Sequence, residues 1–254
     1  MRPVASAPSI VQTAPAGVVH APRHTATVRV THWLTAVAVL ALLVSGVEIV
    51  ISHPRFYWGE TGTVMDAPLF SLPIPASRAS VPTGYGYVLP DQNGWSRSLH
   101  FEAAWLLVFT GLFYVISGTL TRHFRDDLFP GRRDVTPRAI RAEVTKSLRP
   151  ATPEESEAWA YNGLQRLAYL AVVFGLVPLM VWTGLAMSDA IAAAWPATVT
   201  LLGGRQSART LHFVATGLLT LFLLVHLVMI WRVGFTRRVG AMITGHASAR
   251  QEAP

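Results

Sequence analysis

Cysteine is absent from this chain of 254 residues, and charged residues make up only 14% of it. The absence of cysteine excludes disulfides, covalent c-type haem, ordinary iron–sulfur clusters and thiol catalysis within the chain. Any redox centre must therefore have other ligands. A soluble domain carries about 25% charged residues, so this low charge, together with 51% hydrophobic residues, indicates a membrane protein.

Four long apolar segments lie at about residues 30–51, 99–120, 164–187 and 211–231. Each has about 20 residues, and a helix of that length, rising 1.5 Å per residue, crosses a hydrocarbon core of about 30 Å. Pro178 lies inside the third segment and is tolerable there, because neighbouring helices can satisfy the carbonyl it frees. The sequence therefore predicts an all-α membrane protein, with a four-helix transmembrane bundle over residues 29–240.

The distribution of lysine and arginine predicts the orientation of the bundle. Sixteen of the 21 basic residues lie in the two tails and in the connection between the second and third helices, and five lie in the other connections. The positive-inside rule then places both termini and the connection 122–163 in the cytoplasm. It also explains the net charge of +7 without a nucleic-acid partner. Residues 1–28 are expected to form a mobile tail without a cleaved signal peptide, and residues 241–254 a second tail.

The two long connections have different compositions. The periplasmic segment 52–96 is rich in proline, glycine and aromatic residues and is too long for a simple turn, so it is a candidate docking surface. In the cytoplasmic connection, Thr136 can cap a helix that starts at Pro137. Ile140, Val144 and Leu148 would share one face of that helix. It would be either an interfacial helix on the inner leaflet or a solvated loop helix.

Four of the nine histidines fall within the apolar segments, where ionisable groups are rare and usually functional. In the predicted topology His32 and His226 lie near the cytoplasmic side, and His100 and His212 lie near the periplasmic side. His212 and His226 are 14 residues apart, nearly four helical turns, so they point in almost the same direction. The fourth helix could therefore contribute one ligand to each of two sites stacked across the membrane.

Neutral imidazole is a common axial ligand of haem iron, and ligation by two histidines leaves no open position for oxygen chemistry. The pattern therefore predicts two haem groups that transfer electrons, and no catalytic residues are expected in the chain itself. The rival class is a transporter or proton channel that uses buried histidines as relays. The segment FVATGLLTLFLLV between His212 and His226 is nearly apolar, which favours a dry haem cleft.

Arginines recur close to the four histidines. Arg29, Arg97 and Arg209 each lie three residues before a histidine, on the side of the membrane surface, and Arg232 follows the last histidine. A guanidinium pairs bidentately with a carboxylate, so these arginines are candidate partners of haem propionates. Ordinary snorkelling of arginine at helix ends is the alternative.

Asn162 and Gln165 are three residues apart where the third helix enters the membrane. Their carboxamides share a face at the level of the inner haem, where they could donate hydrogen bonds to a quinone carbonyl. The alternative is that Asn162 caps the helix and Gln165 is exposed.

The pattern resembles the bacterial di-haem cytochrome b561 family, which includes the cytochrome b subunits of membrane-bound formate dehydrogenase, nickel–iron hydrogenase and thiosulfate reductase. The matching elements are THW at His32, LHF at His100, LHF at His212 and the step of fourteen residues to His226. The resemblance covers all four helices, over about residues 25–240.

The resemblance implies two haem b groups, a location in the bacterial inner membrane and electron exchange with quinone. The YNGLQR stretch is similar to the family segment beside the quinone pocket, which implies a quinone role for Asn162 and Gln165. It also implies a catalytic partner on the periplasmic side, often a molybdopterin enzyme. The expected function is transmembrane electron transfer between the quinone pool and that partner.

Overall fold

The protein is described here by a computed structural model that covers residues 25–63, 65–73, 94–122, 124–125, 129–131, 135–147, 149, 163–232 and 234–245. The elements in chain order are α1 (Ala26–Ser52), β1 (Arg55–Phe56), β2 (Phe70–Ser71), α2 (Gly94–Leu120), α3 (Pro137–Ser147), α4 (Gly163–Ala186), α5 (Asp189–Ala194), α6 (Ala197–Thr200), α7 (Arg205–Arg232) and α8 (Phe235–Thr244). Within these ranges α1, α2, α4 and α7 are long and apolar enough to cross a membrane. The predicted four-helix transmembrane fold is confirmed.

Helices α1, α2 and α7 are longer than the apolar segments that predicted them, while α4 has the same length as its segment. The four spanning helices have 27, 27, 24 and 28 residues, or about 36–42 Å at 1.5 Å per residue. Ala26 and Val28, which the sequence analysis assigned to the tail, belong to the first turn of α1, and the Thr25 hydroxyl accepts a hydrogen bond from the Val28 N–H at 3.3 Å. Backbone hydrogen bonding continues a helix into the headgroup region without apolar side chains, so hydropathy alone makes α1, α2 and α7 too short.

Helix α4 accommodates Pro178 by means of a short π-helical turn. The turn covers Val172–Leu176, and the Val177 N–H donates to the Val172 carbonyl five residues back. Pro178 follows directly and has no N–H to donate. A single π turn is a common way to accommodate such a defect without breaking a helix. As a result, helix α4 remains one continuous spanning segment.

The spanning helices form two hairpins. Helix α1 packs along α2, and α4 packs along α7, while contact between the two hairpins is much less extensive in the described part of the chain. Many large apolar side chains point away from both hairpins and are exposed, among them Val37, Leu40, Phe109 and Leu221. Such a surface suits the hydrocarbon of a bilayer, since all backbone groups of a helix are bonded internally.

Both chain ends of the bundle lie on the same side. The Arg29 guanidinium donates to the Ile243 carbonyl at 2.6 Å, and the Trp33 indole N–H donates to the Met242 carbonyl at 3.3 Å. These bonds attach the last turn of α8 to the first turns of α1. We call this side, where α1 begins and α7 ends, the terminal end of the bundle, and the opposite side the loop end.

Residues 53–73 cover the loop end and cap α7. The Gly59 carbonyl accepts from the N–H groups of Gln206 at 3.0 Å and Ser207 at 3.2 Å. The Glu60 carboxylate accepts from the Arg205 N–H at 3.2 Å. The first N–H groups of a helix have no partner within it, so this segment supplies the partners that α7 needs.

A short antiparallel ladder holds the same segment in shape, with Arg55 opposite Ser71 and Phe56 opposite Phe70. Phe56 is buried between the rings of Phe70 and Phe213, whose centroids lie 4.7 and 4.4 Å away. The all-α expectation therefore holds for the spanning part of the protein and not for this connection.

The connection between α2 and α4 contains the predicted helix. Helix α3 begins at Pro137, and the Thr136 hydroxyl accepts from the Ala139 N–H at 3.3 Å. It packs against the first turns of α4. Leu148, the third residue of its predicted apolar face, lies outside the described residues.

We expect Gly204→Ala to detach residues 53–73 from α7. Gly203 and Gly204 both have positive φ angles, +81° and +113°, but a β-carbon at Gly204 alone would overlap the backbone of Gly59 and Glu60. Alanine at either position bears a backbone cost of about 1–3 kcal/mol. Trypsin cleavage after Arg55 should therefore accelerate more in Gly204→Ala than in Gly203→Ala. Equal cleavage rates in the two variants would contradict the clash.

Candidate functional site

The four membrane-embedded histidines meet in two pairs, the same pairs that the sequence analysis matched by depth. His100 of α2 and His212 of α7 have ring centroids 6.2 Å apart, with ring planes at 59°. His32 of α1 and His226 of α7 have ring centroids 6.4 Å apart, with ring planes at 48°. We call these the loop-end pair and the terminal-end pair. Each pair joins one helix hairpin to the other.

The separations fit one metal ion between the two rings of each pair. A bond from a metal to an imidazole nitrogen is about 2.0–2.1 Å long, and that nitrogen lies about 1.1 Å from the centre of its ring. Two imidazoles that bind one metal ion from opposite sides would therefore have ring centroids about 6.3 Å apart. The observed values of 6.2 and 6.4 Å agree with this arrangement.

The ligand number favours haem over a bare ion. Among the described residues, no three His, Asp or Glu side chains lie close enough together to hold a metal. A zinc ion takes three or four ligands from the protein. Haem iron needs only axial ligands from the protein, since the porphyrin supplies the others. Isolated histidine pairs are therefore the arrangement expected of bis-histidine haem sites.

A serine hydroxyl fixes the ring of His100. Ser45 Oγ of α1 lies 3.0 Å from His100 Nδ1. The same hydroxyl donates to the Ala41 carbonyl at 2.7 Å, so it must accept from the ring. His100 then carries its proton on Nδ1 and keeps the lone pair of Nε2 for a metal.

A threonine hydroxyl does the same for His212. Thr183 Oγ1 of α4 lies 2.9 Å from His212 Nδ1 and donates to the Leu179 carbonyl at 2.7 Å. His212 Nε2 is buried and has no hydrogen-bond partner among the described residues. A buried polar atom left without a partner costs about 1–3 kcal/mol, so this nitrogen is the atom of the pair that most needs a ligand.

Aromatic rings surround the terminal-end pair. The Trp33 ring lies edge-on to His32, with ring centroids 5.3 Å apart. Phe222 stacks on His226 with centroids 5.9 Å apart, and Tyr169 lies edge-on to His226 with centroids 6.4 Å apart. His32 Nδ1 is buried without a hydrogen-bond partner in the described ranges. The two pairs thus share their spacing but differ in their surroundings.

The candidate propionate arginines have different environments. Arg209 donates to the carbonyls of His53 at 2.5 Å and Arg55 at 2.9 Å, and it lies over the Phe56 ring. This guanidinium therefore holds residues 53–73 on α7. Arg97 is exposed, and Arg232 is half-buried.

Arg29 combines a structural contact with an open donor. Its Nη1 donates to Ile243 of α8, while its Nε is buried without a hydrogen-bond partner in the described part of the chain. It lies one helical turn before His32, so this donor is available near the terminal-end pair.

The candidate quinone residues are only partly described. Asn162 lies outside the described residues, and Gln165 is half-buried in the first turn of α4, at the terminal end. Tyr169 follows one helical turn later and contacts His226. The sequence analysis missed Tyr169, although its spacing of four residues from Gln165 places both on one helix face.

The sequence analysis also missed the roles of the Ser45 and Thr183 hydroxyls. A sequence pattern that could have pointed to these hydroxyls exists, because every spanning helix contains a serine or threonine followed by glycine. These dipeptides are Ser45-Gly46, Thr110-Gly111, Ser117-Gly118, Thr183-Gly184 and Thr216-Gly217.

Comparison with known proteins gives one family. A sequence model of the prokaryotic cytochrome b561 family matches residues 23–245. The chain is also 31% identical over 223 residues to a protein of Azospira oryzae named putative protein-methionine-sulfoxide reductase subunit YedZ1. The aligned region covers 88% of this chain and 96% of the relative. No solved structure matches the chain at a significant level.

Proposed function

The chain belongs to the prokaryotic cytochrome b561 family, and from this premise we propose that it is a di-haem subunit linking the quinone pool to a periplasmic catalytic partner. As a family member it is a multi-pass protein of the bacterial inner membrane that binds b-type haem and transfers electrons. The observation that carries the proposal is the pair of imidazole separations, 6.2 and 6.4 Å, at two levels of one bundle.

In this proposal His100 and His212 hold one haem b, and His32 and His226 hold the other. The bound haems would supply iron that is reduced and oxidised by one electron at a time. The protein keeps the cleft dry with apolar helices and fixes the ligands from both hairpins. On α7 the two levels are 14 residues apart, or about 21 Å along the helix axis.

The proton-relay alternative finds less support in α7. Thr216 and Thr220 are the hydroxyl residues between its two histidines, and they donate to the carbonyls of His212 and Thr216, each at 2.8 Å. These hydroxyls are thus bound to their own helix and do not form a polar file. A dry electron path suits these contacts better than a water path.

The basic residues favour the loop end as the periplasmic side and the terminal end as the cytoplasmic side. Residues 53–73 would then face the periplasm together with the docking segment 52–96. A related protein is named as a subunit of a protein-methionine-sulfoxide reductase. We therefore propose a periplasmic catalytic subunit that reduces methionine sulfoxide as the partner, of the molybdopterin type that the family resemblance implies. Electrons would then flow from quinol to the periplasm.

Quinone exchange is proposed at the cytoplasmic, terminal end. Asn162 and Gln165 would donate hydrogen bonds from their carboxamides without adding charge to a region of low dielectric constant. Tyr169 connects this face of α4 to His226 by ring contact. A quinone bound there would lie close to the terminal-end pair, which gives a short electron path.

The arginines would orient the haem propionates toward the two surfaces. Arg97 is exposed one turn before His100, and Arg29 has a buried open donor one turn before His32. Arg209 and Arg232 are the second candidates at the same two levels, although Arg209 already binds residues 53–73. A guanidinium near each propionate would lower the cost of a carboxylate at the membrane surface.

The first test of this function is haem content. A pyridine haemochrome assay on the purified protein should give two haems b per chain. His212→Ala should remove mainly the loop-end haem and His226→Ala mainly the terminal-end haem, each leaving about one haem. His53→Ala is the matched control, because the hydrogen bonds described for His53 use its backbone N–H and carbonyl, and it should keep both haems. One haem or none in the intact protein would contradict the proposal.

The second test concerns the partner. Removal of residues 74–90 spares Glu60 and the β1–β2 ladder, which bind the loop end, while it shortens the docking segment. This variant should keep two haems but no longer co-purify with the catalytic subunit, and methionine sulfoxide should no longer oxidise its reduced haems in that subunit's presence. A control lacking residues 2–15 should behave like the intact protein. Partner binding at full affinity by the shortened protein would argue against docking there.

The third test concerns quinone. We expect the double variant Asn162→Leu, Gln165→Leu to slow electron exchange between haem and a quinone analogue, with unchanged haem content and spectrum. Leucine is a good helix former, so the start of α4 should survive. Stopped-flow measurement of haem oxidation gives the rate. A normal rate in the double variant would move the quinone site elsewhere, for example beside the loop-end pair.

A further inference from the structure

We propose that Ser45 and Thr183 are positioning residues that fix the tautomer of both loop-end ligands and lower the reduction potential of the haem they bind. The inference rests on the proposed function, since it requires His100 and His212 to be axial ligands. It concerns how the protein tunes one of two sites that have nearly equal ligand spacing.

The two contacts are equivalent although they come from different hairpins. Ser45 of α1 reaches Nδ1 of His100 on α2 at 3.0 Å, and Thr183 of α4 reaches Nδ1 of His212 on α7 at 2.9 Å. Both hydroxyl residues are fully buried. Each is followed by a glycine, and a β-carbon built on Gly46 or Gly184 would lie 3.6 Å from Cε1 of the same imidazole. Each ring therefore rests against a hydroxyl–glycine step of the neighbouring helix.

The direction of each hydrogen bond follows from the single proton of a hydroxyl. Ser45 gives its proton to the Ala41 carbonyl at 2.7 Å, and Thr183 gives its proton to the Leu179 carbonyl at 2.7 Å. The lone pairs of both oxygens then face Nδ1, which must carry the ring proton. Nε2 is left as the basic nitrogen on both histidines, and this is the atom available to iron.

A hydrogen bond accepted from Nδ1–H makes the imidazole a stronger electron donor. A stronger axial donor stabilises ferric iron relative to ferrous iron, and second-shell hydrogen bonding is one means by which a protein sets a haem potential. The two hydroxyls therefore act in the same direction, because both ligands of the same haem receive this bond. Their combined effect is a lower potential at the loop end.

The terminal-end pair offers the internal comparison. His32 Nδ1 has no hydrogen-bond partner in the described ranges. Ring contacts to this pair come from Trp33, Tyr169 and Phe222. In the described part of the chain the hydroxyl contact thus occurs at one of the two levels, and its removal should change one haem and leave the other unaltered.

The experiment is a redox titration of the purified protein, followed at the haem α band, for Ser45→Ala, Thr183→Val and the double variant. Both single variants should raise the midpoint potential of the loop-end haem, and the double variant should raise it further. The terminal-end potential and the content of two haems should not change. Low-spin ferric EPR should shift for one haem only.

Rescue and control variants separate hydrogen bonding from packing. Ser45→Thr and Thr183→Ser keep the hydroxyl and should retain the original potential. Thr220→Val removes a hydroxyl whose hydrogen bond, among the described residues, goes to the Thr216 carbonyl within α7, so it should leave both potentials unchanged. If an alanine or valine variant loses the loop-end haem, Ser45→Cys should retain it and still show a raised potential, because a thiol is a weak acceptor of similar size.

Unchanged potentials in variants that keep two haems would overturn the inference while leaving the proposed function intact. A potential that changes equally at both haems would also overturn it. An intact protein without two haems would instead overturn the proposed function itself.

Discussion

Burying imidazole rings at membrane depth sets the condition that the rest of this structure satisfies. A ring nitrogen in an apolar bundle needs a partner, and water is not available there. Each loop-end ring finds one partner in a hydroxyl, and His212 Nε2 is buried without a hydrogen-bond partner among the described residues. The same demand brings the terminal-end rings to a matching separation. The four histidines therefore account for how the two hairpins are placed.

The histidine pairs are among the few contacts between the two hairpins in the described residues. Helices α1 and α2 pack together, as do α4 and α7, but the described contacts between hairpins are sparse. Without a hydrophobic force between helices in lipid, such a loosely joined bundle depends on specific contacts or on a bound group. A haem held between the hairpins would supply that contact. Because haem would bind the folded protein and not the unfolded chain, it would also raise the free energy of unfolding.

The two ends of the bundle differ in structure. At the loop end Gly59 and Glu60 cap α7, and Arg209 holds the same segment on α7 beside the surface proposed to meet the partner. At the terminal end α8 is attached to α1 through Arg29 and Trp33, and Tyr169 lies against His226. The capped loop end agrees with the proposed protein docking, and the aromatic rings of the terminal end agree with the proposed quinone site.

The sequence by itself determined the four spans, their antiparallel order and the matching of histidines by depth. These follow from local rules, namely the bilayer thickness, the helical repeat and the fourteen residues between His212 and His226. Only the tertiary structure decided which side chains support them. Ser45 lies 55 residues from His100, and Thr183 lies 29 residues from His212. Arg209 reaches a carbonyl 156 residues away. Such contacts depend on how helices rotate and pack against one another, and no periodicity within a single segment encodes that rotation.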